Sequence, residues 1–361
     1  MIYLFNSGFY PLHRVNLLNT LFLPAGTCNN YRYGKDNLDP LLFANPSIVK
    51  KRDDCIVVFI DRYREQGYEF VPIRKGVLRK VDKDADHLYF TVILSDYVFA
   101  VDLPAFNNDI SKSLQTHGLP RLTPGKPMET KDGWYAIVTN GFCAESDAFH
   151  TGDTAWAKAV DDLAGRQAFA DPSVDAIFVK GKVVSGRKTV NPRRVFDPGR
   201  FRFLPGREYS LEFAYRYPRQ KGRTGGGTTI QVHSTDNLKW GDDQALPVDS
   251  FANLVIRRFT PKRYPEDLAG SLSLQRSDTR FLIPEAVISF VLRESFAAWI
   301  FIILALFVFS IASVLIGIDM SKLEPPYLSN IVTTHWPKLV GAVLQTAALF
   351  VLFRLIGKKP V

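Results

Sequence analysis

The sequence predicts an α+β chain: a β-rich cytosolic region, built as a curled sheet or small barrel followed by a β-sandwich, and then a C-terminal two-helix transmembrane hairpin. Three observations predict it. Short apolar segments of strand length, punctuated by turn residues, recur before the C-terminal region. From Tyr209 to Tyr217, aromatic and aliphatic residues alternate with Ser210, Glu212, Ala214 and Arg216, the period of a half-buried strand. Finally, Ser295–Ile318 runs 24 residues without a charge, whereas a helix needs about 20 to span a hydrocarbon core.

Taken in order, Met1 to Phe5 reads as a strand and Pro11 to Leu23 as a short helix. Cys55 to Asp61 is an apolar strand. Tyr68 to Val81 and His87 to Ser95 form a hairpin around the turn VDKDAD, with a further strand at Tyr97 to Val101. Residues 105–132 are rich in Pro, Gly, Asn, Ser and Thr and read as a connecting region. Trp134 to Thr139 is a strand, and Asp153 caps a helix reaching Phe169 that carries Trp156, Val160 and Leu163. From Ala176 the pattern is all-β. Tyr209 to Tyr217 and Thr228 to Val232 pair as a hairpin across PRQKGRTGGG, and Phe251 to Phe259 and Ser271 to Gln275 add strands. The expected divisions are 1–172, an α+β domain; 173–283, a basic sandwich; and 284–361, a juxtamembrane stalk with spans at 295–318 and 337–357.

Within the second span the uncharged core Leu339–Phe353 is only 15 residues long, but Lys338 and Arg354 can snorkel from its ends. Trp299 and Trp336 suit the membrane interface. Ser310, Ser313 and Gly317 lie on one helical face, as do Gly341, Gln345 and Ala348, for close helix packing or for lining a narrow path in an oligomer. No ionisable residue sits mid-span, which disfavours a proton relay or transporter. Arg276, Arg280, Arg293, Arg354, Lys358 and Lys359 flank the hairpin outside its connector, against Lys322 and Lys338 in it. This balance places both termini and the soluble region in the cytoplasm, at the inner (plasma) membrane. The opening residues lack a basic segment before an apolar run, so no cleaved signal peptide is expected. The stretch PEAVISFVLRE from Pro284 reads as a helical stalk continuing into the first span.

The net charge is +9 with a pI near 9.3, which favours anionic partners. Basic residues concentrate between Lys180 and Arg223, including Arg187, Lys188, Arg193, Arg194, Arg200, Arg202, Arg219 and Arg223, and return at Arg257 and Arg258. They suit an anionic lipid surface, nucleic acid or a nucleotide, or a plain solvated face. Glu145, Asp147, His150 and Asp153 have residue types that suit acid–base or metal chemistry, at a spacing that matches no metal motif. GLPRLTPGKP is not a phosphate loop, because prolines interrupt the amide cradle. Cys28, Cys55 and Cys143 are few and unpaired in spacing. No catalytic residue, metal or cofactor is expected.

The order of a cytosolic region before a short membrane module resembles bacterial conflict effectors, including anti-phage defence proteins. The resemblance implies a trigger-binding sensor whose hairpins assemble as homo-oligomers, or with a partner protein, to permeabilise the bilayer. The alternatives are a tethered scaffold for protein, lipid or nucleic acid, and a membrane-bound enzyme acting near His150.

Overall fold

The computed structural model describes residues 2–7, 11–38, 40–49, 54–63, 67–116, 138–140, 149–170, 175–193, 198–217, 228–248, 252–262, 267–275 and 281–293, together with Leu304, Phe307 and Val308. Met1–Val291 form one unit and Leu292–Val361 another. The first unit opens with β1 (Ile2–Ser7), α1 (Pro11–Phe22) and β2 (Cys28–Gly34). Then follow α2 (Pro40–Ala44), β3 (Asp54–Tyr63), and the long hairpin of β4 (Gly67–Lys83) and β5 (His87–Ala100). Next come α3 (Leu103–Thr116), β6 (Val138–Asn140), β7 (Phe149–Thr151), α4 (Asp153–Ala164) and α5 (Gln167–Ala170). These strands make one sheet in the order β2-β5-β4-β3-β1-β6, with β7 added to β5. Among the described pairs of this sheet only β1 and β3 run parallel. The described sheet is open, with β2 and β6 at its two ends, rather than a small barrel.

Every side chain from Cys55 to Ile60 is buried, because β3 is central and covered on both faces. Ile56, Val58 and Ile60 meet Phe106, Ile110 and Leu114 of α3 on one face. Phe59 faces the other way, into Leu17, Leu18 and Leu21 of α1 and Trp156, Val160 and Leu163 of α4. Each such fully buried aliphatic or aromatic side chain contributes about 1.5–3 kcal/mol.

Helix α3 lies in the stretch that composition marks as a connector. Asp102 caps it, its Oδ1 accepting from the Ala105 N–H at 2.9 Å. Asn107 then clamps it to β4. Its Nδ2 donates to the Phe70 carbonyl (3.0 Å) and its Oδ1 accepts from the Phe70 N–H (2.7 Å). The cap of α4 also differs from expectation: Gly152, with φ of 102°, occupies the cap position, and Asp153 is the first helical residue.

After α5 come β8 (Asp175–Ala176), β9 (Phe178–Ser185), β10 (Lys188–Thr189), β11 (Phe201–Phe203) and β12 (Tyr209–Arg216). They are followed by β13 (Thr228–Ser234), β14 (Leu238–Trp240), β15 (Ala245–Val248) and β16 (Ala252–Pro261). The last strands are β17 (Ala269–Gln275), β18 (Phe281–Leu282) and β19 (Val287–Leu292). Two five-stranded sheets result, β10-β9-β12-β16-β14 and β11-β19-β17-β13-β15, with β8 and β18 paired separately. The sheets meet around Phe203 of β11, whose ring centroid lies 4.7 Å from Tyr209, 5.3 Å from Phe259 and 5.1 Å from Phe290. Strand β12 alternates as predicted, Tyr209, Leu211, Phe213 and Tyr215 being buried. Its expected hairpin partner is elsewhere: β13 belongs to the opposite sheet. The α1 helix closes on this sandwich. Phe22 stacks on Phe213 with centroids 6.2 Å apart, and a Cβ at Gly181 would lie 2.9 Å from the Phe22 ring.

The transmembrane expectation is corrected. Among the described residues no helix is long and apolar enough to cross a membrane, so the two-helix hairpin, and the integral-membrane pore built from it, are not supported. A charge-free run records a preference to leave water, and any apolar surrounding satisfies it, so hydropathy alone does not establish a bilayer span. Of the first run, only Leu304, Phe307 and Val308 are described, as helical positions. Trp299, Ser310, Ser313, Gly317, Trp336, Gly341, Gln345, Arg354 and the span 337–357 lie outside the described residues. The stalk is corrected too. Val287–Leu292 is strand β19, paired antiparallel with β17 through Ser289↔Ser271. The β-branched Val287, Ile288 and Val291 suit a pleated sheet, and the Glu285 N–H preceding them donates to Asn19 Oδ1 of α1 at 2.7 Å.

Candidate functional site

The described basic residues do not form one patch. Arg187 and Lys188 are exposed at the tip of the β9–β10 hairpin, where Gly186 takes φ of 61°. Arg193 is half-buried and Arg200 exposed, at the two ends of a loop closed by the Arg193 N–H on the Arg200 carbonyl (2.9 Å). That loop is fastened to the N-terminal sheet. Arg79 donates to the Pro198 carbonyl at 3.0 Å, and a Cβ at Gly199 would sit 2.2 Å from Cys28 Sγ. Arg202 lies half-buried on β11. Arg257 and Arg258, consecutive on β16, separate by the strand period. Arg257 reaches the Ala245 carbonyl of β15 through Nε (3.2 Å) and Nη2 (2.5 Å), a bond between sheets. Arg258 faces outward, its Nε 3.4 Å from Asp242. Arg194, Arg219 and Arg223 lie outside the described residues.

What the fold does assemble is a cleft of about 300 Å³ where β9 approaches the N-terminal sheet. Pro24 and Ala25 form one wall, in the turn after α1 that is pinned to β5 by Gly26 N–H to Leu94 O (2.6 Å) and Leu94 N–H to Thr27 O (2.8 Å). Ser95, Asp96 and Tyr97 of β5 form the second, and Gly152 closes a corner at the start of α4. Lys180, Gly181, Lys182 and Val183 come from β9. Thr189, Val190 and Asn191 complete the lining, held by the Val190 N–H on the Val183 carbonyl at 2.8 Å. Two lysines against one aspartate leave the lining with one net positive charge. Lys188, next in sequence to Thr189, and Arg187 extend the positive field beyond it.

Behind the second wall sits Arg74, fully buried. Its Nε donates to the Ser95 carbonyl (2.9 Å), and its Nη1 donates to the carbonyls of Thr20 and Leu23 (2.5 Å each) at the end of α1. A cation there complements the negative end of the helix dipole. Its guanidinium carbon is 4.2 Å from the Tyr97 ring centroid, and Lys180 Nζ is 5.1 Å from that same centroid. Burial lowers the Arg74 pKa from its ordinary value, with Tyr97, Tyr31 and Asp96 acting in the opposite sense. One side chain therefore ties together the α1 end and the β5 wall. A register irregularity between Arg74 and Gly76 interrupts the β4–β5 ladder at this point.

His150 is exposed on β7, with Phe99 as its strand partner. Glu145 and Asp147 lie outside the described residues. Among the described residues no group of three His, Cys, Asp or Glu could hold a metal. Asp161 and Asp162 of α4 form ion pairs. Asp161 meets Arg216 of β12 at 2.7 Å, and Asp162 takes Arg166 at 2.8 Å. Arg166 also contacts Glu69 and lies 4.0 Å from buried Asp61, tying α4 to β3 and β4.

In the sequence Lys180 and Lys182 are the first members of a long basic stretch. Ser95, Asp96, Thr189 and Asn191 carry no motif. The detectable signal was the i, i+2 spacing of the two lysines on a strand, which puts both on one face. No protein-family model matches the chain, and no curated protein matches it.

Proposed function

We propose that this chain is a ligand-binding sensor that takes a small anionic molecule into the cleft between β5 and β9. One observation carries the reading: Lys180 and Lys182 line one half-open cleft with hydroxyl- and amide-bearing residues from two other segments, Ser95 and then Thr189 and Asn191. Ammonium groups near low-dielectric walls attract an anion more strongly than the same groups on an open surface. Strand geometry sets Cα atoms two residues apart at about 6.6 Å, close enough for both lysines to serve one ligand. The volume is at the lower end of the range for small-molecule sites, about 300–1,000 Å³, so the ligand is compact. Among the described residues the lining holds cations, hydroxyls, an amide and one carboxylate, and no histidine or cysteine, a set suited to holding a ligand.

The test is calorimetric titration of the full chain with phosphate-, sulfate- and carboxylate-bearing small molecules, alongside Lys180→Ala and Lys182→Ala. Saturable binding by at least one class, weakened about tenfold or more by each substitution, is expected. Absence of binding by every class would overturn the reading.

A further inference from the structure

Resting on that reading, we infer that the ligand is a compact phosphomonoester with neighbouring hydroxyl groups, the chemistry shared by sugar phosphates and nucleoside monophosphates. Lys180 and Lys182 supply the charge for a phosphate. Asp96 is the informative residue, because an exposed carboxylate on the lining of a cationic cleft repels a simple anion. It gains from a ligand that also presents donors, since an ionised carboxylate only accepts hydrogen bonds and two adjacent hydroxyls can fill both oxygens. Thr189 and Asn191, each able to donate and accept, add partners for a polyhydroxylated ring.

The polarity is therefore split. Asp96 and Lys180 both line this one cleft of about 300 Å³, which puts a carboxylate-bearing and an ammonium-bearing residue around the same small ligand. The same split selects against a polyphosphate, whose additional charge would meet Asp96. A cleft of about 300 Å³ also selects against a dinucleotide. Val190, half-buried at the cleft, provides apolar surface for the carbon face of a ring.

The experiment titrates the full chain with inorganic phosphate, ethyl phosphate, ribose 5-phosphate, glucose 6-phosphate and adenosine monophosphate at one pH and salt concentration. The polyol esters are expected to bind about tenfold or more tighter than ethyl phosphate. Asp96→Asn is expected to erase that preference without weakening ethyl phosphate, and its unchanged thermal unfolding without ligand checks the fold. A larger gain for the nucleotide than for both sugar phosphates assigns the site to nucleotides, a larger gain for a sugar phosphate than for the nucleotide assigns it to sugar phosphates, and equal gains support the shared phosphomonoester-and-hydroxyl chemistry. Ethyl phosphate binding as tightly as the polyol esters overturns the inference, as does an Asp96→Asn loss equal for all esters. Binding of carboxylates alone overturns it and leaves the anion-sensor reading standing, whereas binding of no anion removes both.

Discussion

Arg74 shows how a single buried side chain can organise a wall of the candidate site. Its removal would strand three backbone carbonyls, those of Thr20, Leu23 and Ser95. Arg74→Ala is therefore expected to lower unfolding free energy by about 3–5 kcal/mol in urea titration. Arg74→Lys should recover only part of this, because an ammonium lacks the planar fork that reaches several acceptors at once. A second residue-scale prediction concerns the β4–β5 turn. Asp84 accepts from the Asp86 and His87 N–H groups at 2.8 and 2.7 Å and from the Tyr89 hydroxyl at 2.7 Å. These bonds, the Tyr89 hydroxyl first, pull its carboxyl from 3.8 to about 2. A depressed carboxylate contributes stability above its unfolded pKa and loses it as pH falls through the folded value. Amide protection at Asp86 and His87 should thus fade between pH 4 and pH 2, and Asp84→Asn should remove that dependence. Persistence of the pH dependence in Asp84→Asn would count against this assignment.

Elements became legible where the local chemistry was complete. The β4–β5 hairpin carried its own turn and alternating flanks, and β3 its apolar run, so both were readable from the chain. Helix α3 was not, because Pro104, Asn107, Asn108, Ser111 and Ser113 resemble a loop by composition. The available signals were the Asp102 cap and Phe106, Ile110 and Leu114 at helical spacing. Asn107 of α3 bonds both backbone groups of Phe70, whose strand partner in β3 is Ile60. Asn107→Ala is expected to cost about 1–3 kcal/mol by chemical denaturation, as it leaves buried backbone groups of Phe70 unpaired. The segment after Pro284 went the other way: a Pro start and apolar content read as helix, yet β17 offered a pairing edge. Ser289→Pro should disrupt that pairing and lower the thermal midpoint, while a helix-favouring Ser289→Ala should change it little. Equal tolerance of both substitutions would contradict strand β19.

Across the first unit, one hydrophobic cluster takes Leu17 from α1, Trp156 from α4, Phe169 from α5 and Phe178 from β9. The cleft exists because this shared core brings β9 against β5. Its predicted affinity for an anion should fall as salt rises, since the Debye length shortens from about 10 Å at 0.1 M to about 3 Å at 1 M. Titration of a phosphomonoester across that range should show the decline, and salt-independent binding would point to uncharged contacts. The candidate site was only faintly legible for the same reason. Lys180 and Lys182 stand in the sequence only as members of a long basic stretch, and Asp96 and Asn191 are 95 positions apart and meet in one lining only after the sheets pack.

By itself the sequence determined the β-rich character, the apolar strand at β3, the buried face of β12, and the excess of positive charge. These follow from side-chain periodicity and composition, which are local. The tertiary structure decided that β12 and β13 occupy opposite sheets, that Arg257 and Arg258 serve different faces, and that residues 287–292 pair as a strand. It also replaced the expectation of a membrane hairpin with the finding that no described helix is long and apolar enough to cross. Each of these depends on which surface is available to bury an apolar face or satisfy a backbone group, and that surface is supplied by residues remote in the chain.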